Sequence, residues 1–326
     1  MKLILSEEQQ FLKDTALSFA RDKTPVTHFR GLRDASNANC WDSSIWQEMV
    51  GLGWSGILVP EEFGGSDFGI GGISVIMQEL GKTLTPSPLL ATAVLGVSAI
   101  KMLGTEDHKK TYLPKIVSGE ITTALAIDEG HHHSPFNIEA SATLSGEHWV
   151  LNGQKVFVLD GASANTILIV ARTSGKSGES NGLSVFMADK DSDGLEISKI
   201  STADCRNYAN ISMNNLALKQ DALLGAVDTA GEIVEKVLDL GRIAMAAEML
   251  GNMEEAFEVT VNYLKERKQF GVAIGSFQAL QHRAAKMFCE IELTKSAVMG
   301  AMHAADENSN ELERLSSIFV ILSIII

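Results

Sequence analysis

From Thr229 onward, apolar residues recur at steps of three and four: Ile233, Val237, Leu240, Ile243, Ala247, Leu250, Met253, Phe257, Val261 and Leu264. That spacing lines one face of a helix roughly nine turns long. A second helix of the same kind is expected from about Phe277 to Ala305. The first 120 residues carry the same period in shorter pieces. Ser6 with Gln9 forms a capping box, and Phe11, Leu12, Leu17 and Phe19 continue it as an apolar stripe. Further helices are expected at 44–52, 70–82, 89–103 and 107–117, punctuated by Pro60, Gly64-Gly65, Pro86 and Pro88. Between these helical regions the pattern changes to short apolar or alternating runs at 122–127, 141–144, 149–151, 166–171, 183–188 and 195–200. Gly, Asp and Ser turns separate them, and the series ends near Leu224-Gly225. Short strands so spaced predict a small antiparallel barrel or sandwich. The expected class is α+β, with a helical domain at 1–120, a β-domain at 121–225 and a helical bundle at 226–326.

Length and charge narrow the function. A chain of 326 residues holds two or three domains. Its 27 Lys plus Arg against 41 Asp plus Glu leave a net charge of −14, which repels a phosphate backbone and excludes general nucleic-acid binding. Cys40, Cys205 and Cys289 are far apart and show no metal-ligand spacing. They read as free thiols of a reducing, cytoplasmic compartment. The N-terminal apolar run is too short for a signal peptide. The uncharged run from Leu315 is too short to span a bilayer, which takes ~20 apolar residues. Either the natural reading frame is lost near Ile318, or the run is a β-prone tail or buried final helix.

Two motifs tempt and are declined. Gly51-Leu52-Gly53-Trp54-Ser55-Gly56 spells GxGxxG, but a helix precedes it and Pro60 stops any helix after it. Three consecutive histidines, His131 to His133, cannot all face one ion in extended chain, so a solvated loop is expected and no metal. Asn152-Gly153 is a hairpin-turn signal. Asp239 and Arg242 stand one helical turn apart and suit an ion pair. The strongest signal lies between the two long helices, at Glu266-Arg267-Lys268-Gln269-Phe270-Gly271 with Phe277-Gln278 beyond. Arg267 suits a phosphate oxygen, and Gly271 permits a tight turn. The plain alternative is a basic loop with Phe270 plugging a core.

These segments, in this order, resemble acyl-CoA dehydrogenases over residues 1–315. The resemblance implies FAD, an acyl-CoA thioester, α,β-dehydrogenation and electron-transfer flavoprotein as acceptor. It also implies lipid metabolism such as fatty acid β-oxidation, and a homodimer, a homotetramer or a heterotetramer with a homologous subunit. Arg267, Gln269, Phe270 and Gln278 would reach the FAD of a neighbouring chain. Ala126, Ile127, Phe157 and Leu159 would line the flavin; Ile127 and Leu159 stand where the family carries threonine. His133, Asp239 and Arg242 would meet the acyl-CoA, with His133 at a family serine. Gly241 occupies the position from which one group of members supplies the catalytic glutamate, and most others draw theirs from a more C-terminal segment. Hence a second possibility, a non-catalytic subunit lending contacts across an interface to a catalytic partner.

Overall fold

The computed structural model describes residues 4–35, 39–204, 206–307 and 309. Cys205 and the apolar run from Leu315 lie outside them. The described residues form two compact units. One takes in the chain through Arg30, Phe68–Thr85 and the residues from Asp239 on; the other takes in Gly31–Asp67 and Pro86–Leu238.

The first unit is helical. Helix α1 (Glu7–Lys23) starts with the expected capping box, Ser6 accepting from Gln9 N and the Gln9 side chain from Ser6 N. The short helix α2 (Val26–Asp34) follows across the boundary at Arg30, and α3 (Ser43–Gly51) belongs to the second unit; α2 was not anticipated, its apolar residues being too few for a clear period. Helix α4 (Ile70–Lys82) is buried from Ile70 to Gly81. Inside it Glu79 is a fully buried carboxylate paired with Lys82 at 2.9 Å and Lys13 at 3.6 Å, so its charge is not left alone in the core. Past the second unit's helices, α5 (Val97–Leu103) and α6 (Glu106–Val117), come the two long helices α7 (Gly231–Glu266) and α8 (Gln278–Asp306).

Glycine sets how closely α7 approaches α4. A Cβ on Gly251 would strike the Gln78 carbonyl, and one on Gly81 would strike the Glu248 carbonyl. At the far end of α8, the Asp306 carboxylate accepts the free N–H groups of Ile70 (2.7 Å) and Gly71 (3.2 Å), capping α4 where Gly69 offers no side chain. Farther out along both long helices the apolar side chains of Val259, Tyr263, Phe288 and Leu293 are exposed.

The second unit carries a sheet in the order β6-β7-β3-β2-β4-β5-β8, made by β1 (Thr123–Ala126), β2 (Ser141–Ser145), β3 (His148–Val158), β4 (Thr166–Arg172), β5 (Leu183–Asp189), β6 (Leu195–Lys199), β7 (Ala209–Lys219) and β8 (Leu223–Leu224). It is mixed, not antiparallel throughout, because β1 runs parallel to β4. Trp149 of β3 meets Phe186 of β5 with ring centroids 5.2 Å apart. Those strands are not neighbours in the sheet, so the sheet folds over its own core.

Two expectations are corrected here. The turn joining β2 to β3 is Gly146-Glu147, since Ser145 pairs with His148 and Gly146 has φ +61°. Asn152-Gly153, expected to be a hairpin turn that ends the strand after Leu151, lies instead within β3 at a bulge, where Asn152 Oδ1 accepts from Asn215 N at 2.8 Å. A tertiary partner used the left-handed freedom that a hairpin would have used. Strand β7, which pairs with both β3 and β6, was missed despite its alternating burial at Ala209, Ile211 and Met213.

Candidate functional site

The exits of β1 and β3 lie side by side, with Val156 N–H donating to the Asp128 carbonyl at 2.8 Å. This brings together five of the singled-out residues. Ala126 ends β1 fully buried, Ile127 follows it buried, and Leu159 is half-buried just beyond β3. Phe157 is 54% exposed and sits at φ +50°, a conformation costly for a bulky side chain. A register shift between Lys155 and Val158 turns it outward, and Tyr208 meets its ring edge-on at 6.3 Å. His133 joins the group through Asp128, its Nδ1 donating at 2.9 Å. Burial would raise the Asp128 carboxyl, but His133 and the Ser134 N–H outweigh it and hold the group below its ordinary range. His131 and His132 are exposed.

Beneath this surface lies a polar arrangement that no motif announced. Lys155 is 0% exposed, and its ammonium donates to Glu129 at 2.6 Å and to the Ile127 carbonyl at 3.0 Å. Arg172 donates to the carbonyls of Ile138 (2.9 Å) and Phe136 (3.1 Å). An open cleft of about 900 Å³ adjoins, lined by Glu129, the three histidines, Asn137 and Gln154 among others. The available signal was a lysine at an inward-facing parity of β3, in phase with Trp149 and Leu151.

Burial pushes the Lys155 ammonium down to about 8, against the pull of Glu129. An unfolded lysine keeps its proton to about 10.4, so between pH 8 and 10 the unfolded state binds the extra proton. Stability from this group therefore rises with pH across that window. Below it the buried charge carries its full cost. The unfolding free energy of the wild type, measured against Lys155→Met from pH 7 to 10, should climb by up to roughly 3 kcal/mol; a flat difference would contradict it.

The remaining residues fall into two groups on the helices. Asp239 is buried and binds Arg242 Nη1 at 2.7 Å, the i,i+3 pair that the spacing suggested, and Gly241 is buried between them in sequence. Arg267 leads into a small hairpin in which Lys268-Gln269 pair with Val272-Ala273. Its turn is Phe270-Gly271, both left-handed, at φ +55° and +84°. That is the mirror-image turn favoured between tightly twisted strands. Phe270 is 92% exposed, so it plugs no core of this chain, and its ring meets Phe277 alone among the described aromatic contacts, edge-on at 6.1 Å. Gln269 is exposed beside it, and Gln278 opens α8. Along the continuous helix α7, Arg242 and the hairpin stand roughly 36 Å apart. One ligand of ordinary size cannot use both.

Residues 6–120, 125–219 and 231–319 match, in turn, the acyl-CoA dehydrogenase N-terminal, middle and C-terminal domains. The probable acyl-CoA dehydrogenase YngJ of Bacillus subtilis (strain 168) is 30% identical over 314 residues, covering 94% of this chain and 82% of that protein. Among solved structures, butyryl-CoA dehydrogenase from Megasphaera elsdenii aligns with a TM-score of 0.90 at 25% identity, over 99% of this chain and 85% of its own. A structure described as the electron transferring flavoprotein of Acidaminococcus fermentans aligns at 0.86 with 31% identity, over 98% and 85%. No helix among the described residues is long and apolar enough to cross a membrane. The chain therefore belongs to the acyl-CoA dehydrogenase family, FAD-dependent oxidoreductases that act on acyl-CoA thioesters.

Proposed function

We propose that this chain is a subunit of an acyl-CoA dehydrogenase that binds FAD and an acyl-CoA thioester, supports α,β-dehydrogenation, and passes electrons to an electron-transfer flavoprotein. The observation that carries this reading is Phe157, a large apolar ring held outward in a strained conformation beside the β1 exit. The likeness to a structure described as an electron transferring flavoprotein supports the acceptor. In the proposed division of labour, residues 1–120 and 226–326 supply helices, and 121–225 supplies the flavin face.

The residues present fit a flavin. Phe157 offers an aromatic face, and Ile127 and Leu159 offer apolar surface. Asn207, one residue from Tyr208, is buried with neither amide atom hydrogen-bonded among the described residues, a polar capacity that a ligand would satisfy. Ala126, Ile127, Phe157 and Leu159 would hold the ring; Arg267, Gln269, Phe270 and Gln278 would hold the FAD of an adjoining subunit. When bound, FAD supplies the hydride acceptor. Phe157 would exclude water from the ring face. Ile127 and Leu159 bring no hydroxyl, so polar contacts to the ring edge fall to the main chain. Arg242, already neutralising Asp239, would meet the acyl-CoA, as would His133 at the β-domain rim.

Removing an α-proton needs a carboxylate near the thioester. Gly241 provides none at its position, and this favours a second reading: a subunit that lends its hairpin to a catalytic homologue. One experiment separates the two. The purified chain is titrated with FAD and assayed on acyl-CoA thioesters of several lengths with an artificial acceptor. The expected result is weak FAD uptake and oxidation near background, with oxidation gained on Gly241→Glu or on mixing with a homologous subunit. Robust turnover by the unaltered chain would overturn the second reading. Absence of any FAD uptake, alone or mixed, would overturn both.

A further inference from the structure

A fully buried ammonium is costly unless its protons are taken up, and each partner of Lys155 lies on the stretch that leaves β1. The Ile127 carbonyl and the Glu129 carboxylate accept from it directly. Glu129 also accepts from the main-chain N–H of Glu139 at 2.7 Å and of Ala140 at 3.1 Å, so the same carboxylate ties this stretch to the start of β2. The neighbouring residue of β3, Val156, holds the Asp128 carbonyl. Arg172 secures the far end of the same loop through Phe136 and Ile138. The charged groups acting on Lys155 are Glu129 and Asp128 from the β1 exit and Arg172 from β4.

The peptide plane turns this into a statement about orientation. The carbonyl of Ile127 is committed to the lysine, so the trans peptide directs the Asp128 N–H the opposite way. Without the ammonium, that peptide would lose the bond that fixes its orientation, and Glu129, a half-buried carboxylate, would lose its cation.

We propose that Lys155 is a positioning residue, which fixes the main chain of 126–129 in its ligand-ready orientation before FAD arrives. The proposal rests on the reading of this face as the flavin site. It acts through pre-organisation: a segment already ordered loses little entropy on binding, and one that must be ordered by the ligand weakens it.

Two full-length variants test it, Lys155→Met and the double variant Lys155→Met/Glu129→Gln, which leaves neither charge unpaired. Amide hydrogen exchange is followed in apoprotein, and FAD affinity is measured by fluorescence titration. Amides 126–130 should exchange at least about 10-fold faster in both variants, with β4 and β7 unchanged, and the FAD dissociation constant should rise about 10- to 100-fold. Glu129→Gln alone should move both readouts the same way by less, and it carries the test if the lysine variants do not fold. Unchanged exchange at 126–130 overturns the proposal. Faster exchange with unaltered FAD affinity also overturns it, reducing Lys155 to a structural tie. If faster exchange appears but the wild type itself takes up no FAD, the flavin reading fails instead.

Discussion

Replacing Arg267 with alanine should loosen FAD about 10- to 150-fold in the assembled protein, the equivalent of losing roughly 1.5–3 kcal/mol of charge-assisted hydrogen bonding. The chain's own stability should hardly move. Arg267 is exposed, and its hairpin is held by main-chain bonds that alanine keeps, from Arg267 N to Tyr263 O at 2.9 Å and from Ile274 N to Arg267 O at 2.8 Å. Surface changes away from such features stay within about 0.5 kcal/mol. The effect is thus expected in binding and not in folding. Phe270→Ala tests the same idea from the apolar side, because a ring exposed on a strained turn has no stake in this chain's core. FAD titration together with the mass of the assembly by light scattering reads both variants. An Arg267→Ala protein that binds FAD like the wild type would show that this guanidinium grips no diphosphate.

Gly251→Ala should destabilise the helical unit by about 2–3 kcal/mol, even though alanine is the better helix former by about 1 kcal/mol. The new Cβ would land on the Gln78 carbonyl, a rigid main-chain atom that cannot swing aside as a side-chain tip would. Helices α4 and α7 would have to part. That would strain the ties that run beside the crossing, Gln78 to Glu254 at 2.9 Å and Lys82 to Glu254 at 3.4 Å. For a unit of this size the melting temperature should fall roughly 5–10 °C. Gly81→Ala meets the Glu248 carbonyl at the same crossing, so the double variant should cost less than the sum of the two. Calorimetry decides the matter. An unchanged or raised Tm for Gly251→Ala would mean that the close approach is not what these glycines are for.

Much of the candidate site could be read before any coordinates, because its clearest parts are local. The turn between the long helices is signalled by Gly271, which the structure shows left-handed within a small hairpin, and the Asp239–Arg242 pair by a one-turn spacing on a helix. Arg172 and the Lys155–Glu129 pair were not legible. Lys155 and Glu129 are 26 residues apart, and only the folding of β3 against the β1 exit brings them within hydrogen-bond reach. The Asn152-Gly153 turn failed for the same reason, since β7 supplies Asn215 as a partner that local reasoning cannot see.

From the sequence by itself came the order of helical and β segments, the length of α7 and α8, and a loop with a tight turn at Gly271 that carries Arg267. Each depends on periodicity or on allowed backbone angles within a few residues. Tertiary structure alone decided that a lysine lies wholly buried behind Ile127, that Phe157 faces outward, and that Gly81 and Gly251 meet main-chain atoms of an opposing helix. Those outcomes turn on which distant segment fills the space beside each residue, and neither composition nor spacing encodes that neighbour.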